Sequence, residues 1–515
     1  MWKFISAQAC RVSTSSACLP PRSKKAKERV RAALVNSGFE FPAGRITVNL
    51  APADLPKDGG RFDLAIAVGM LIAGGQIRPT ADLDSLEFLG ELGLAGDLRA
   101  VRGALPAAAA AAAAGHRVVL PQHNAAELRW LPGVSAAIAT DLLEVIAWLQ
   151  GGVETPTVVL QSDPSAAEAP GREAPGRETT VLLADVCGQS AGKAALEVAA
   201  AGGHSMLLVG PPGCGKSMLA ERLPGLLPPP SLTEALEIAM IASLNTVALA
   251  NPATPAASGD LPRRPFRRPH HTASASAIIG GGPGASPGEI TLAHHGILFL
   301  DELPEFDRRV LEALREPLET GQVSVTRANA QADYPAGFQL IAAMNPCPCG
   351  YYGTRSARCL CKPPLIERYR SRLSGPLLDR LDLRVVLEAV GGADLAEHRR
   401  RHDRREALAA EQSTRERIAA ARACQLERQG CLNARLGAPR LAATVRLARS
   451  AQRFLLTSPQ IRAVSLRSQD RLLRVARSVA DLREAAEIEI EDLTQALALR
   501  LAFAAAPTES FTGTS

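Results

Sequence analysis

The sequence predicts an α/β protein of several domains, with a central parallel-sheet domain and a helical C-terminal region. Three stretches predict it. Met206 to Ser217 reads MLLVGPPGCGKS, a short apolar run, a glycine-rich turn and then a helix start. His295 to Glu302 reads HGILFLDE, an apolar run closed by two acids, as expected of a strand buried on both faces of a parallel sheet. From Glu397 onward apolar residues fall at three-four spacing, as in Leu472, Leu473, Val475, Ala476 and Val479, which marks the buried stripe of a helix.

With 515 residues, 46% of them hydrophobic and 4% aromatic, the chain carries aliphatic material for two or three cores. A net charge of +6 permits nucleic-acid contact without requiring it. Ala107 to Ala114 is too short and too weakly apolar to cross a bilayer, so no membrane is expected as a partner. The cysteines are clustered rather than spread as a disulfide frame, and a reducing cytoplasm is the expected home.

Residues 1–22 form an atypical start with Ser/Thr, two cysteines and a Pro-Pro pair, but without the continuous apolar core of a targeting peptide. Residues 23–150 read as an α/β domain. A helix is expected over Ala26 to Ser37, a strand over Arg45 to Leu50, a turn at Gly59 and Gly60, and a helix over Leu64 to Ala73. Residues 151–180 carry APGRE twice in tandem among Pro, Gly and charge, and read as a flexible linker with too little apolar surface to order itself.

The central domain, 181–390, opens with DVCGQ and a helix over Ala194 to Ala201. The loop Gly210, Pro211, Pro212, Gly213, Cys214, Gly215, Lys216 and Ser217 meets the pattern G-x-x-x-x-G-K-[ST] and reads as a phosphate cradle. Its glycines permit positive φ and let backbone N–H groups face phosphate oxygens. Lys216 would bring a cation to the β and γ phosphates of ATP, and Ser217 with Asp301 would hold Mg²⁺. Glu302 would polarise the attacking water.

Between the two elements, Arg263, Arg264, Arg267, Arg268, His270 and His271 form a basic cluster. Glycine-rich turns flanking Ile278, Ile279 and Glu289 to Leu292 predict a projecting hairpin or loop. A further buried strand is expected at Leu340 to Met344, ending at Asn345. Cys347, Cys349, Cys359 and Cys361 follow as two C-x-C pairs, either a tetrahedral Zn²⁺ site or four loop thiols. Residues 391–505 form the helical region and 506–515 a short polar tail expected to be disordered.

GPPGCGKS, GILFLDELPEF and SGPLLDRLDL together resemble an AAA+ ATPase of the magnesium-chelatase-like branch, in particular the YifB/ComM family, over about Ser23 to Arg500. The resemblance implies a homo-oligomeric ring, a hexamer, driven by ATP and Mg²⁺ and acting on single-stranded or branched DNA. Its activity would be branch migration that supports DNA integration in natural transformation. The alternative it implies is a magnesium-chelatase-type ATPase that remodels a protein or metal-insertion partner.

It further implies that Asn345 orients the lytic water, that Arg380 in LLDR is an arginine finger reaching a neighbouring subunit's nucleotide, and that Arg467 is a second sensor. Val186 and Gln189 would line the adenine, and the basic insert would face the ring's pore and touch a nucleic-acid backbone. The first domain resembles the Lon-protease type. It is expected to be non-catalytic, since no Ser follows the Asp58-Gly59 turn, and to lack the opening strands usual in the family.

Overall fold

A computed structural model describes residues 10–13, 23–42, 46–50, 60–129, 131, 133–152, 157–159, 181–245, 262–281, 286–327, 330–354, 358–400 and 404–501. The Asp58-Gly59 turn, the tandem repeat, the tail and most of the atypical start lie outside these residues, but Thr157–Val159, within the 151–180 stretch expected to be flexible linker, is a strand because it pairs with Ser135–Ala137 of the first domain. The exception in the start is Cys10–Ser13 (β1), a strand antiparallel to Thr47–Leu50 (β2) in a stretch expected to stand apart from the first domain.

Ser23–Asn36 (α1) and Asp63–Ala73 (α2) follow, joined by a bidentate contact in which Arg29 donates to both carboxylate oxygens of the buried Asp63. Leu86–Phe88 (β3), Ala104–Ala113 (α3), Arg117–Pro121 (β4), Ser135–Ala139 (β5), Leu142–Leu149 (α4) and Thr157–Val159 (β6) complete the domain. Its sheet runs β3-β4-β5-β6, and only the β6 pairing is antiparallel. The alanine run falls on α3, where Ala104, Leu105, Ala108 and Ala111 are buried against β4 and β5.

The central domain holds Ser190–Gly202 (α5), Met206–Val209 (β7), Lys216–Leu226 (α6), Leu232–Ser243 (α7), Phe266–Arg267 (β8) and Ile297–Leu300 (β9). Gln322–Arg327 (β10), Ala330–Pro335 (β11), Gln339–Met344 (β12) and Leu383–Val386 (β13) follow. Its five-stranded sheet is wholly parallel, in the order β8-β9-β12-β7-β13. Alternate residues explain the unbroken apolar runs. Met206, Leu208, Ile297, Phe299, Ile341 and Ala343 face one buried cluster. Leu207, Val209, Leu298, Leu300, Leu340 and Ala342 face the other. With both faces covered, a strand has no polar side to alternate.

The helical region covers the first of these faces. In Leu466–Leu482 (α9, after Arg404–Gln429, α8), Leu472, Val475, Ala476 and Val479 are buried in that cluster beside Leu493 and Ala496 of Ile490–Leu501 (α10). Among the described residues no helix is long and apolar enough to cross a membrane.

Two expectations change. The glycine-rich insert forms short helices at Ala275–Ile279 and Glu289–Leu292, and only Gly280–Gly281 and Ser286–Pro287 pair as strands. The longer hairpin is β10–β11, over a stretch with no expected strand. It adjoins the insert, since a Cβ built on Gly280 would lie 3.3 Å from Val325 Cγ2.

α7 joins two domains. A capping box at Ser231 and Glu234 starts it. Leu236, Ala239 and Met240 pack on the first domain's core, and Ser243 Oγ donates to the buried Glu127 at 2.7 Å. Its Ile238 and Ile241 are also buried.

A buried ionic knot fastens the helical region to the sheet. Asp382, just before β13, accepts from Arg471 at 2.7 Å and meets His204 Nδ1 at 3.1 Å, while its carbonyl accepts from Arg500 at 3.1 Å. Burial by itself would raise the Asp382 pKa, but the His204 hydrogen bond and the Arg471 and Arg500 charges outweigh it and hold it at about 2. Asp382→Asn leaves Arg471 buried without its counter-ion and should cost about 3 kcal/mol in denaturant unfolding. The folded pKa lies below the ordinary 3.8, so the wild-type carboxylate's contribution is complete above that value. It should fade as pH falls toward about 2, a loss the variant should not show.

Candidate nucleotide and metal sites

The C-terminal ends of β7, β9 and β12 lie side by side, and the chain turns polar at each. After β7 the loop carries Gly213 and Gly215 at φ 75° and 93°, and α6 begins at Lys216. Gly210 is needed for space, because a Cβ there would sit 2.7 Å from Cys214 Sγ and 2.9 Å from the Leu387 carbonyl.

Lys216 Nζ donates to the carbonyls of Gly210 at 2.7 Å and Pro211 at 2.8 Å, and to Asn345 Oδ1 at 3.1 Å. Burial lowers its pKa, yet three oxygens hold the ammonium. Ser217 Oγ donates to Asp301 Oδ2 at 2.8 Å. Four predicted positions from three strand ends are thereby brought together. Glu302 stands beside them with φ 53°, half exposed. Gln189 Nε2 donates to the Cys214 and Glu388 carbonyls, and Val186 is buried near Gly215.

The basic cluster is largely ion-paired within the chain. Arg264 pairs with Glu234 and Arg267 with Glu289, each within 2.8 Å. Arg268 donates to Asp301 at 2.9 Å and to Glu221 at 2.8 Å, lying over the Phe299 ring. His271 Nδ1 meets Glu302 at 3.2 Å. Arg264, Arg267 and Arg268 thus carry ion pairs within the protein rather than free charges. Arg268 and His271 instead engage the two acids that follow β9. Charge density marked these residues in the sequence, but their acidic partners are dozens of positions away.

Arg380 and Arg467 converge on one carboxylate. Arg380 reaches Glu319 at 2.9 Å, and Arg467 pairs with the same Glu319. Arg380 also donates to the Pro376 carbonyl, its Nε is buried without a partner among the described residues, and burial lowers its pKa. Neither guanidinium is hydrogen-bonded to the 210–217 loop of its own chain among the described residues. Glu319 had no signal in the sequence.

The four cysteines cluster. Cys347 Sγ lies 3.3 Å from Cys349 and 3.8 Å from Cys359, Cys349 lies 3.7 Å from Cys359, and all four sulfurs, Cys361 included, fall within 4.8 Å. A disulfide needs about 2.05 Å. A tetrahedron of Zn–S bonds of about 2.3 Å has S···S edges of about 3.8 Å. The spacing fits the ion, and the Tyr352 N–H donates to Cys347 Sγ at 3.3 Å as an outer partner.

A second cluster, Glu237, His294 and His295, does not fit one. The Gly337 N–H donates to His294 Nδ1 at 2.8 Å, so Nε2 carries the ring proton and donates to Glu237 at 3.0 Å. A metal at Nε2 would require removing that proton.

The family described as "Magnesium chelatase, subunit ChlI" matches residues 182–395, its C-terminal part matches 409–500, and "Subunit ChlI of Mg-chelatase" matches 17–124. The chain is 45% identical to "Uncharacterized protein YifB" of Salmonella typhimurium, covering 93% of this chain and 89% of the relative. It is 43% identical to "Competence protein ComM" of Haemophilus influenzae, covering 94% and 91%. The chain belongs to the YifB/ComM family.

A shorter likeness, 30% identity over 100 residues, links it to "DNA replication licensing factor Mcm6" of Drosophila melanogaster, covering 19% of this chain and 11% of that one. Within this magnesium-chelatase-like AAA+ frame, the Glu237–His294–His295 cluster is a clasp. It ties α7, which packs on the first domain, to the turn that enters β9.

Burial, then the neighbouring His295, lowers His294 to about 4, against the opposing pull of Glu237. Because the folded value lies below the ordinary 6.5, its contribution is complete above 6.5 and is lost as pH falls toward about 4. Denaturant midpoints of the wild type should drop more steeply over that window than those of His294→Gln, which cannot titrate.

Proposed function

We propose that the protein is an ATP-driven motor acting on DNA, a ComM-like branch-migration ATPase that assembles as a hexameric ring in the cytoplasm. The observation that carries the reading is the convergence of Lys216, Asn345, Ser217 and Asp301 at one sheet edge. It is supported by the 43% identity to a competence protein over 94% of the chain.

On this reading the β and γ phosphates of ATP replace the loop carbonyls as partners of Lys216, and the backbone N–H groups of the loop line the anion. Ser217 and Asp301 would hold Mg²⁺, which neutralises phosphate charge. Glu302 polarises the attacking water, and Asn345 orients it from beside Lys216. His271 on Glu302 and Arg268 on Asp301 hold the acids in a resting arrangement. Nucleotide would have to replace Arg268 before Asp301 is free. Val186 and Gln189 line the adenine. The four-cysteine loop binds one structural Zn²⁺.

Arg380 and Arg467 would act on the nucleotide of the neighbouring subunit, and Glu319 sets both on one face for that task. In this role they supply charge to the γ-phosphate in the transition state.

ATP turnover should rise several-fold on adding branched or single-stranded DNA. Glu302→Gln should keep nucleotide binding and lose turnover, and Lys216→Ala should lose tight binding. Indifference to every DNA tested would turn the reading toward a chelatase-type remodeller.

Arg380→Ala should bind nucleotide at its own intact loop but hydrolyse it about a hundredfold more slowly. Mixing it with Lys216→Ala should restore part of the turnover at mixed interfaces. No rescue on mixing would place the arginine's action within its own chain.

A further inference from the structure

The four-cysteine loop and the phosphate loop are built on one short segment. β12 ends at Met344, Asn345 follows it, and Cys347 is completely buried two residues later. The Cys347 carbonyl accepts from the Gly350 N–H at 3.0 Å, closing a turn that needs φ +85° at Gly350. That turn lies flat on the phosphate loop. A Cβ built on Gly350 would stand 2.5 Å from Pro212 Cδ and 2.8 Å from Cγ. From the other side of the same segment, Asn345 Oδ1 accepts from Lys216 at 3.1 Å.

Leu360 is 90% exposed, and the anchors beyond the sulfurs include Arg370, which donates to the Pro346 carbonyl at 3.2 Å and lies 5.2 Å over the Tyr352 ring. Four sulfurs this close cannot all be thiolates without a cation among them, since like charges at such distances repel strongly away from water. A metal removes the repulsion, and its binding energy becomes the ordering energy of the loop.

We propose that the metal-bound four-cysteine loop is a clamp that holds the phosphate loop in its nucleotide-receiving shape, so that metal occupancy sets nucleotide affinity. The inference rests on the reading of the cysteines as a Zn²⁺ site. The clamp acts through Gly350 on Pro212 and through Asn345 on Lys216. Nucleotide meets a preorganised loop when the metal is bound and must order that loop itself when it is not.

The test measures zinc content and the affinity for a fluorescent ADP analogue in full-length protein. The preparations compared are as purified, stripped with a zinc chelator and returned to Mg²⁺ buffer, resupplied with Zn²⁺, and Gly350→Ala. Expected are about one zinc per chain and a roughly tenfold weaker Kd after stripping, equivalent to about 1.4 kcal/mol. Readdition should reverse the loss, with helix content by circular dichroism unchanged throughout. Gly350→Ala should keep its zinc and show a comparable loss, because its Cβ drives the two loops apart.

Zinc present with a Kd unmoved by stripping and by Gly350→Ala would overturn the clamp while leaving the metal site standing. Protein purified without chelator that holds no metal would overturn the metal reading and, with it, the dependence on occupancy. If stripping unfolds the chain, the zinc-loaded Gly350→Ala protein decides: a weakened Kd supports the clamp and an unchanged one overturns it.

Discussion

Burial of the parallel sheet on both faces is the constraint on which the rest depends. β7, β9 and β12 expose no polar side, so each can meet water-seeking chemistry only where it ends. Because they run parallel and adjoin, those ends coincide. The glycine-rich loop, the two acids and Asn345 are far apart in sequence, 84 positions from Ser217 to Asp301 and 129 from Lys216 to Asn345, and still reach hydrogen-bonding distance.

The edge so formed is satisfied internally. Lys216 is saturated by two carbonyls and an amide oxygen, Asp301 by Ser217 and Arg268, and Glu302 by His271. Buried and half-buried charges carry a large desolvation cost unless paired, so these groups take partners from within the chain. The arginine-rich stretch after α7 supplies two of them. In the same stretch Arg264 and Arg267 are engaged by Glu234 and Glu289.

Among the described residues, polar contacts reinforce the apolar packing between domains. Asp382 ties α9 and α10 to the strand edge, and α7 carries the first domain on one side and the His294–His295 turn on the other.

The sequence by itself determined the α/β class, the place of the glycine-rich 210–217 loop between a strand and a helix, the acid pair after a buried strand, the strand ending at Asn345 and the clustering of the cysteines. Each is a local signal: a glycine spacing set by backbone reach, or an apolar run whose period reports burial. The family was legible for the same reason, as contiguous strings. Tertiary structure alone decided what the charged residues do. Charge along a sequence says nothing of its partner, so the pairing of Arg268 and His271 with Asp301 and Glu302 was not legible there. Glu319, which gathers Arg380 and Arg467, and Gly350, which rests on Pro212, were equally silent, because an ion pair or a close approach between distant segments leaves no period in the chain. The insert's short helices and the β10–β11 hairpin belong with them, since pairing across a turn is decided by what each strand packs against.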